Sequence, residues 1–428
     1  MTSFGIKSIF ARRVWDSRGR PTVEAELTLN NGSVGRAIAP AGASKGTREA
    51  LELRDGGERF GGLDVMQAVG HINSDIASAL VGTKADNQSV LDQMLIDLDG
   101  TVNKSRLGAN ATLAVSMAAA HAMAAASDMP LYRYLGNGQI GRLPMPQIQI
   151  FGGGAHAGRR VDVQDFMVVC PGATSFAQAL EWTAEVYRHA GLLMAQRGSL
   201  FGVADEGGWW PDFSSNEQAL EMLVLSIERA GYIPGEQVAI ALDIAASEFG
   251  QQGQYRLGLE SRALDSDGMI EMLLGWVDKY PIVSIEDPLA EDDPAGFARF
   301  TQAIGHRLQI VGDDFLVSNS SLIREAANLG AANTVLLKPN QRGTLSETLQ
   351  AWKVAQELGY SAIVSARSGE TEDTTIVDLA IGWNVGQLKV GSFARSERMV
   401  KWNHALRIEE QLGAQASFAG SSVFHRTH

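Results

Sequence analysis

Short apolar runs that end at a charged residue recur through the second half of the chain. Amphipathic stretches long enough for one helix each separate them. Short apolar strands alternating with helices predict a parallel sheet covered on both faces. If that sheet closes into a β/α barrel, the carboxyl ends of its strands meet at one mouth, where such barrels place their chemistry. The runs are residues 238–242 before Asp243, 282–285 before Glu286, 308–311 before Asp313, 334–337 before Lys338, 362–364 before Arg367 and 387–388 before Lys389.

The first part of the chain follows a different pattern. Residues 6–10, 22–29 and 32–39 predict an antiparallel meander, with Asn30-Asn31-Gly32 as a turn signal. Helical patterns follow, and they begin at Gln67, Gln88 and Gly108. This segment is therefore expected to form an α+β unit of its own.

The two patterns predict two domains, an N-terminal α+β cap domain over residues 1–137 and a β/α barrel over residues 138–428. Residues 40–46 form a loop of small residues with one cation, and such a loop can close over a barrel mouth as a lid. A Gly-rich loop alone also fits an ordinary turn. The tail from about residue 414 has no strong pattern, and we expect it to be disordered.

Three further segments carry candidate site residues. His156 lies in a second glycine-rich loop, although a histidine there also fits an ordinary loop residue. Residues 161–167 alternate as in a strand, which would place Asp165 at a strand end. Residues 203–208 predict another strand that ends in an acid, Glu206, followed by glycines. An acid there and an amine across the mouth are the pair needed to remove a proton and a leaving group.

The charges at the predicted strand ends indicate a metal site. Asp243, Glu286 and Asp313 would place three carboxylates in one mouth of low dielectric, where their repulsion requires a counter-ion. An all-oxygen ligand set with open positions suits Mg²⁺. Lys338 is then a candidate base if burial and the cation lower its pKa. The alternative is that each of these charges forms a structural ion pair at its strand end. That explanation would have to apply to every one of these strands.

Composition and charge limit the partners and the compartment. The 428 residues are 45% hydrophobic and carry a net charge of −13, so the core is ample and neither nucleic acid nor an anionic membrane is the expected partner. The single Cys170 excludes an intramolecular disulfide and fits a reducing cytoplasm. Residues 1–20 show no signal-peptide pattern, and the apolar residues 111–126 are small enough to indicate a packed helix. We therefore expect a cytoplasmic protein.

A series of short motifs runs through both predicted domains. They include Asp16-Ser17-Arg18-Gly19, Gly42-Ala43-Ser44, His156-Ala157, Asp205-Glu206-Gly207-Gly208, Ser284-Ile285-Glu286-Asp287-Pro288, Val311-Gly312-Asp313-Asp314, Arg367-Ser368-Gly369-Glu370-Thr371 and Arg395-Ser396-Glu397-Arg398. In these motifs and their order the chain resembles the enolases over nearly its whole length. The resemblance implies an enolase-type barrel and a lyase that removes the α-proton of a 2-phosphoglycerate-like acid. Loss of the β-hydroxyl would then give an enolpyruvate product.

The resemblance also implies two Mg²⁺ ions in each site. Asp243, Glu286 and Asp313 match the ligands of a tightly bound ion. Ser44 on the lid matches a residue that reaches a second ion, which substrate phosphate holds in part. An α-proton beside a carboxylate is too weakly acidic for an amine unless cations stabilise the resulting charge, and enolase-type sites are a known case.

Catalytic and substrate-binding roles are implied for the other matching positions. Lys338 matches the base that removes the α-proton, and Glu206 matches the acid that assists loss of the hydroxyl. The implied substrate contacts are Lys389 with the carboxylate, Arg367 and Ser368 with the phosphate, His156 on a closing loop, Gln164 and Asp165 on the hydroxyl side, and Lys45 on the lid. The expected partner is thus a small phosphorylated anion.

Several positions in or beside the expected pocket depart from the enolase pattern. Ala366 stands where enolases carry a histidine before the Arg-Ser pair. Asp165 replaces the glutamate of Gln-Glu-Phe-Met, which shortens that side chain by one methylene. The lid carries Ala41 and Lys45, and Gly152 replaces the asparagine before a Gly-Gly pair. Drift in a working or decaying enolase is one explanation of these changes.

The other explanation is that the pocket has changed shape to accept a different substrate. Loss of the imidazole removes volume and a donor, and Lys45 suits an added anionic group, as in carboxyphosphonoenolpyruvate synthase of phosphonate-antibiotic pathways. A superfamily racemase or sugar-acid dehydratase and a binding or moonlighting homologue are further alternatives. Intact Glu206, Lys338 and metal carboxylates argue against the last of these. Because enolases commonly assemble through the cap domain, we expect a homodimer or a larger even-numbered homo-oligomer.

Overall fold

A three-stranded antiparallel sheet begins the chain. The computed structural model of the protein describes residues 4–424. Strands β1 (Ile6–Trp15), β2 (Pro21–Leu29) and β3 (Val34–Ile38) lie in the order β1–β2–β3. Gly32 adopts a φ of +90° in the tight turn between β2 and β3, as expected from the Asn-Asn-Gly signal. The predicted meander is therefore present, and β1 runs five residues further than its apolar pattern indicated.

Helices follow the sheet, and several of them pack against it. They are α1 (Met66–His71), a π-helical turn (Ile72–Ile76), α2 (Ala77–Leu80), α3 (Gln88–Asp99), α4 (Ala109–Ala126) and α5 (Leu131–Leu135). Helix α4 is long and apolar enough to cross a membrane, but 83% of it is buried inside the protein. Its small residues allow close contact, since a Cβ on Gly35 of β3 would lie 2.0 Å from the Ala118 carbonyl oxygen. The prediction of a packed core helix is confirmed.

Eight strands of the second unit close into a barrel. In sheet order they run β4–β5–β6–β10–β11–β12–β13–β14 and return to β4. The short strands β7, β8 and β9 form a separate antiparallel sheet after β6, which the sequence analysis did not predict. In chain order these strands are β4 (Met145–Gly152), β5 (Asp165–Val169), β6 (Ala239–Asp243), β7 (Gly250–Gln251), β8 (Gln254–Leu257), β9 (Arg262–Asp265), β10 (Ile282–Glu286), β11 (Gln309–Gly312), β12 (Thr334–Leu337), β13 (Ser361–Ser365) and β14 (Gln387–Ser392).

One strand of the barrel runs against the others. Strand β5 pairs antiparallel with both β4 and β6, whereas every other neighbouring pair is parallel. The expectation of a wholly parallel sheet is therefore wrong at β5. Asp165 does lie at a strand end, because it is the first residue of β5. Because β5 is reversed, its first residue lies at the mouth, in register with Asp243.

The predicted strand ends otherwise bring their charges to the mouth. Asp243 and Glu286 are the last residues of β6 and β10, and Lys338 directly follows β12. Lys389 was expected to end its strand, but β14 continues through Ser392 with an irregularity after Lys389. This irregularity changes the alternation of side chains along the rest of the strand.

Helices cover the outside of the barrel. They are α6 (Phe176–Gln196), α7 (Asn216–Arg229), α8 (Ser266–Lys279), α9 (Pro294–Ile304), α10 (Ser320–Leu329), α11 (Leu345–Glu357), α12 (Thr375–Gly382) and α13 (Ser396–Leu412). Side-chain oxygens of Ser175, Ser215 and Thr344 accept from backbone N–H groups at the starts of α6, α7 and α11. Such capping satisfies donors that a helix cannot pair internally.

The tail closes the end of the barrel opposite the mouth. Val423 and Phe424 pack against an apolar cluster that includes Met145, Met167 and Ala239. Gln309 Nε2 also donates to the Val423 carbonyl at 3.0 Å. The expected disorder is therefore wrong for residues 414–424, because these apolar contacts hold the segment. The last four residues lie outside the described part of the chain.

Candidate active site

The ammonium of Lys389 lies among three carboxylates on one side of the barrel mouth. Its Nζ is 2.8 Å from Asp243 Oδ2, 2.9 Å from Glu286 Oε2 and 3.1 Å from Asp165 Oδ2. The acids come from three neighbouring strands, and the register pairs Asp165 with Asp243 and Asp243 with Glu286. Strand pairing thus brings together residues that are up to 121 positions apart in the sequence.

Burial and charge perturb this cluster strongly. Burial raises the pKa of Glu286 well above its usual value, and repulsion from Asp243 adds to the effect. Burial opposes the charge on Lys389, but attraction to Asp243 and Glu286 outweighs it and raises the pKa of the amine. One ammonium cannot neutralise three buried acids. The cluster therefore retains an excess of negative charge that suits a further cation.

Lys338 forms a second buried pair beside the first cluster. Its Nζ is 2.5 Å from Asp313 Oδ2, and Gln341 Nε2 donates to Asp313 Oδ1 at 2.8 Å. The backbone N–H of Lys338 donates to Ser318 Oγ at 2.8 Å. Burial opposes the charge on Lys338, but attraction to Asp313 raises the pKa of the amine. A cation held by Asp313 would weaken this attraction and favour the neutral amine that a base requires.

Glu206 reaches the mouth on a tight turn between α6 and α7. The sequence predicts a strand that ends at Glu206, but within residues 203–208 only Val203 makes an isolated bridge, and the prediction is wrong. Gly207 adopts a φ of +95° and a Cβ there would lie 2.5 Å from the Ala394 carbonyl, so the turn needs glycine. The backbone N–H of Ser392 donates to the Glu206 carbonyl at 2.9 Å.

His156 faces Glu206 across the cavity. Its Nε2 is 3.7 Å from Glu206 Oε1, and both side chains are buried. Burial opposes the charge on Glu206, but the positive groups around it, His156 first, lower the pKa of its carboxyl group. Among the described residues, His156 Nδ1 is buried without a hydrogen-bond partner. The imidazole therefore keeps one nitrogen free for a ligand or water.

Gln149 is a site residue that the sequence analysis missed. Its Nε2 donates to Asp165 Oδ1, and its Oε1 accepts from the Gly208 N–H at 2.9 Å. The side chain is fully buried on β4. A signal was present, because two glutamines interrupt the otherwise apolar residues 145–151. A buried polar side chain in a barrel strand needs partners, and the mouth supplies them here.

The lid loop, residues 40–46, lies against Arg367. Arg367 Nη2 donates to the Ser44 carbonyl at 2.8 Å, and its Nη1 lies 3.0 Å from Glu49 Oε2. A Cβ on Gly42 would lie 2.0 Å from Arg367 Nη2, so a side chain there would displace the guanidinium. Ala41 forms a bridge with Gly369. The loop is thus closed over the mouth, as a lid would be.

Lys45 does not reach the cavity in this arrangement. Its Nζ lies 2.5 Å from Glu52 Oε2, and 45% of its side chain is exposed. Glu52 also pairs with Arg54, and the two cations outweigh burial and lower the pKa of Glu52. A role for Lys45 in binding substrate stays a prediction, and it would require the pair with Glu52 to open.

A small cavity of about 20 Å³ lies beneath the lid. Asp313, Glu286 and Lys45 are the predicted site residues that do not line it, although the first two contact lysines that do. Ala366 adds only a methyl group to the wall. The predicted residues that line the cavity are Ser44, His156, Gln164, Asp165, Glu206, Asp243, Lys338, Arg367, Ser368 and Lys389.

The donor groups at the mouth are of the type that a hard divalent cation prefers, although the Asp243 and Glu286 carboxylates hold the Lys389 ammonium here and belong to neither closely spaced group of ligand atoms. Asp243, Glu286 and Asp313 are buried carboxylates, and oxygen ligands are those that Mg²⁺ prefers. Within the described residues, Gln164 Oε1 is buried without a donor, while its Nε2 donates to Asp243 Oδ2 at 3.1 Å. Two groups of acids and histidine have ligand atoms within 4.8 Å of one another, His156 with Asp165 and Glu206, and Asp287 with Asp313 and Asp314.

Comparison with known proteins agrees with this geometry. A family model described as "Enolase, N-terminal domain" matches residues 6–135, and one described as "Enolase, C-terminal TIM barrel domain" matches residues 141–427. The chain is also 50% identical to "Enolase 1" of Desulfitobacterium hafniense (strain Y51). That similarity extends over 427 residues, which are 99% of this chain and 98% of the relative.

Proposed function

Since the chain belongs to the enolase family and is an enolase-type carbon–oxygen lyase, we propose that its substrate is 2-phosphoglycerate and its product phosphoenolpyruvate. In this reaction the C2–H bond breaks and its electron pair stays on C2. The C2–C3 double bond then forms as the C3–O bond breaks. The hydroxyl group takes a proton and leaves as water.

The observation that carries the proposal is the placement of Lys338 and Glu206 on one small cavity. Lys338 follows β12, whereas Glu206 lies on the α6–α7 turn beside β14. An amine and a carboxyl group that approach from different sides can remove one proton and deliver another. A substrate that carries a phosphate and a carboxylate would offset the cations that now hold Glu206 ionised, and this favours its protonated form.

Charged groups around the cavity would hold the two anionic parts of this substrate. We assign the Lys389 ammonium to the carboxylate and Arg367 with Ser368 to the phosphate, because all three residues line the cavity. Arg367 already forms an ion pair with Glu49, and its Nη1 donates to Asn340 Oδ1 at 2.9 Å. These contacts orient the planar guanidinium before a phosphate arrives.

Magnesium is the cofactor that the donor set favours. Asp243, Glu286 and Asp313 would hold one ion, and Ser44 on the lid would reach a second one together with substrate phosphate. Bound Mg²⁺ supplies charge that stabilises the extra electron pair on the substrate carboxylate. The protein residues bind the acid, orient its C2–H bond toward Lys338 and exclude water beneath the lid.

We further infer assembly through the cap and a cytoplasmic location. Phe10, Trp15 and Phe60 are large side chains of the cap with 39–52% exposure. Trp15 and Phe60 contact each other edge to face at 5.2 Å, and Arg13 lies over both rings. An exposed aromatic cluster of this kind supports a homodimer or a larger even-numbered homo-oligomer.

We expect the purified protein to convert 2-phosphoglycerate in the presence of Mg²⁺. Turnover at about 1–10³ s⁻¹ is the usual range for enzymes, and the absorbance of the enol product measures it. Chelation by EDTA should stop the reaction and added Mg²⁺ should restore it. Binding of 2-phosphoglycerate that depends on Mg²⁺ without any turnover would refute the proposed substrate.

A second candidate function is supported by the methyl group of Ala366 in the cavity wall. A methyl group is smaller than the imidazole that enolases carry there, and this suits a larger or additional anionic group, as in a carboxyphosphonoenolpyruvate synthase-like enzyme of phosphonate biosynthesis. Under the main proposal, the double change Lys45→Thr with Ala366→His should alter kcat/KM for 2-phosphoglycerate by less than about tenfold, because neither residue supplies the base or the acid.

The second candidate requires the opposite result from the same pair of proteins. The wild type should then be nearly inactive on 2-phosphoglycerate, and the double variant should gain activity. The single variant Lys45→Thr is the matched control, since Lys45 contacts Glu52 and not the cavity. If Lys45→Thr alone gained activity on 2-phosphoglycerate, the lid and not Ala366 would determine the specificity.

A further inference from the structure

The side chain of Gln149 forms hydrogen bonds to one acid of the cavity and to the backbone of the turn that carries another. Its Nε2 donates to Asp165 Oδ1, and its Oε1 accepts from the N–H of Gly208, two residues after Glu206. Both ends of the amide are therefore used. A buried amide that is bonded at both its oxygen and its nitrogen has one preferred orientation.

Two departures from the enolase pattern fit around this amide. A Cβ on Gly152 would lie 3.0 Å from Gln149 Oε1 and 2.7 Å from Ala204 Cβ. A side chain at position 152 would therefore push against both the amide and the Glu206 turn. Asp165 is one methylene shorter than the family's glutamate, and the Gln149 amide reaches its Oδ1 directly. The three positions thus form one packed unit.

A second path connects Gln149 to Glu206 through β14. Ser392 Oγ donates to the Gln149 carbonyl at 2.5 Å, and the Ser392 N–H donates to the Glu206 carbonyl at 2.9 Å. The turn that carries Glu206 is consequently held on both sides by groups bonded to Gln149. Tyr187 adds an outer contact, because its hydroxyl donates to the Gly207 carbonyl at 2.9 Å.

We propose that Gln149 is a positioning residue that fixes the Asp165 carboxylate and the Glu206 turn, and so controls the step in which the β-hydroxyl leaves. This inference rests on the proposed function, in which Glu206 protonates that hydroxyl. Lys338 lies outside the network, since its side chain contacts Asp313 and its backbone N–H contacts Ser318. Loss of the amide should therefore affect hydroxyl loss and spare removal of the C2 proton.

The test compares two leucine variants on the same strand. Gln149→Leu removes the amide at the mouth. Gln147→Leu is the matched control, because Gln147 is also buried on β4 and its Nε2 donates to Gln387 Oε1 at 3.2 Å. Two rates are measured for each protein with Mg²⁺ and 2-phosphoglycerate. They are the formation of the enol product and the exchange of C2–H for deuterium from D₂O, followed by NMR.

We expect Gln149→Leu to lower product formation about 100-fold, the order of loss caused by a misplacement of about 1 Å. C2 exchange should stay within about threefold of wild type, and Gln147→Leu should leave the ratio of the two rates unchanged. Equal losses in both rates, or no loss in either, would show that Gln149 has only a structural role.

A second pair of variants covers the case in which Gln149→Leu fails to fold. Asp165→Glu alone should slow product formation, because the longer acid meets the Gln149 amide. Gln149→Asn shortens the amide side chain by the same methylene. The loss of activity caused by Asp165→Glu should therefore be at least tenfold smaller when Gln149→Asn is also present. Additive losses in the double variant would refute the coupling of these positions.

Failure of the proposed function can be told apart from failure of this inference. If wild type neither exchanges C2–H nor forms product, the substrate assignment is wrong. Protection of the Gly208 amide against hydrogen exchange then decides the role of Gln149. Protection that falls in Gln149→Leu and persists in Gln147→Leu supports the positioning role, and unchanged protection overturns it.

Discussion

The Lys338→Met variant should lose about 10³- to 10⁴-fold in kcat, the upper range for removal of a general base. Methionine keeps most of the length and volume of the side chain but has no amine. The variant should also lose exchange of C2–H for deuterium, because the base acts before the hydroxyl leaves. Product formation and NMR exchange measured on the same sample check both effects.

A buried lysine elsewhere provides the control for this variant. Lys104 is 2% exposed and its Nζ lies 3.1 Å from Glu347 Oε1, away from the cavity lining. Lys104→Met should lower stability and leave the rates per folded molecule near those of wild type. If Lys338→Met retained C2 exchange, the amine would not be the base, and another group at the mouth would have to remove the proton.

Much of the barrel could be predicted from the sequence because most of its strands are short and largely apolar. Five of the six predicted runs become barrel strands that end at or just before the predicted charge. Parallel strand ends meet at one mouth, so the neighbourhood of Asp243 and Glu286 followed from the pattern alone. The reversal of β5 did not, since strand direction depends on how the chain returns between β4 and β6 and not on the local pattern.

The contacts within the site were less accessible to sequence reasoning. Glu206 sits on a turn that tertiary hydrogen bonds hold, so its segment carries no strand despite its composition. Lys45 forms an ion pair with Glu52, and this contact orients the lysine side chain away from the cavity. Gln149 gave only the signal of a polar residue in an apolar strand, and its partners come from residues 16 and 59 positions away.

Removal of the acid should separate the two halves of the reaction. Glu206→Gln keeps the shape of the side chain but cannot donate a carboxyl proton. Product formation should fall about 10²- to 10⁴-fold, the range for loss of a general acid. C2 exchange should stay within a few-fold of wild type, because Lys338 and its partner Asp313 do not depend on Glu206 for their contact. The opposite signatures of Lys338→Met and Glu206→Gln assign the two roles independently.

The control for Glu206→Gln is a glutamate that has a structural role. Glu409 accepts from the backbone N–H groups of Phe176 and Ala177 at the start of α6, outside the cavity lining. Glu409→Gln should weaken that cap and leave both rates per folded molecule near wild type. If Glu206→Gln abolished exchange together with product formation, Glu206 would act on removal of the C2 proton. The assignment of proton removal to Lys338 and of hydroxyl loss to the side of the cavity that holds Glu206, His156 and Asp165 would then be wrong.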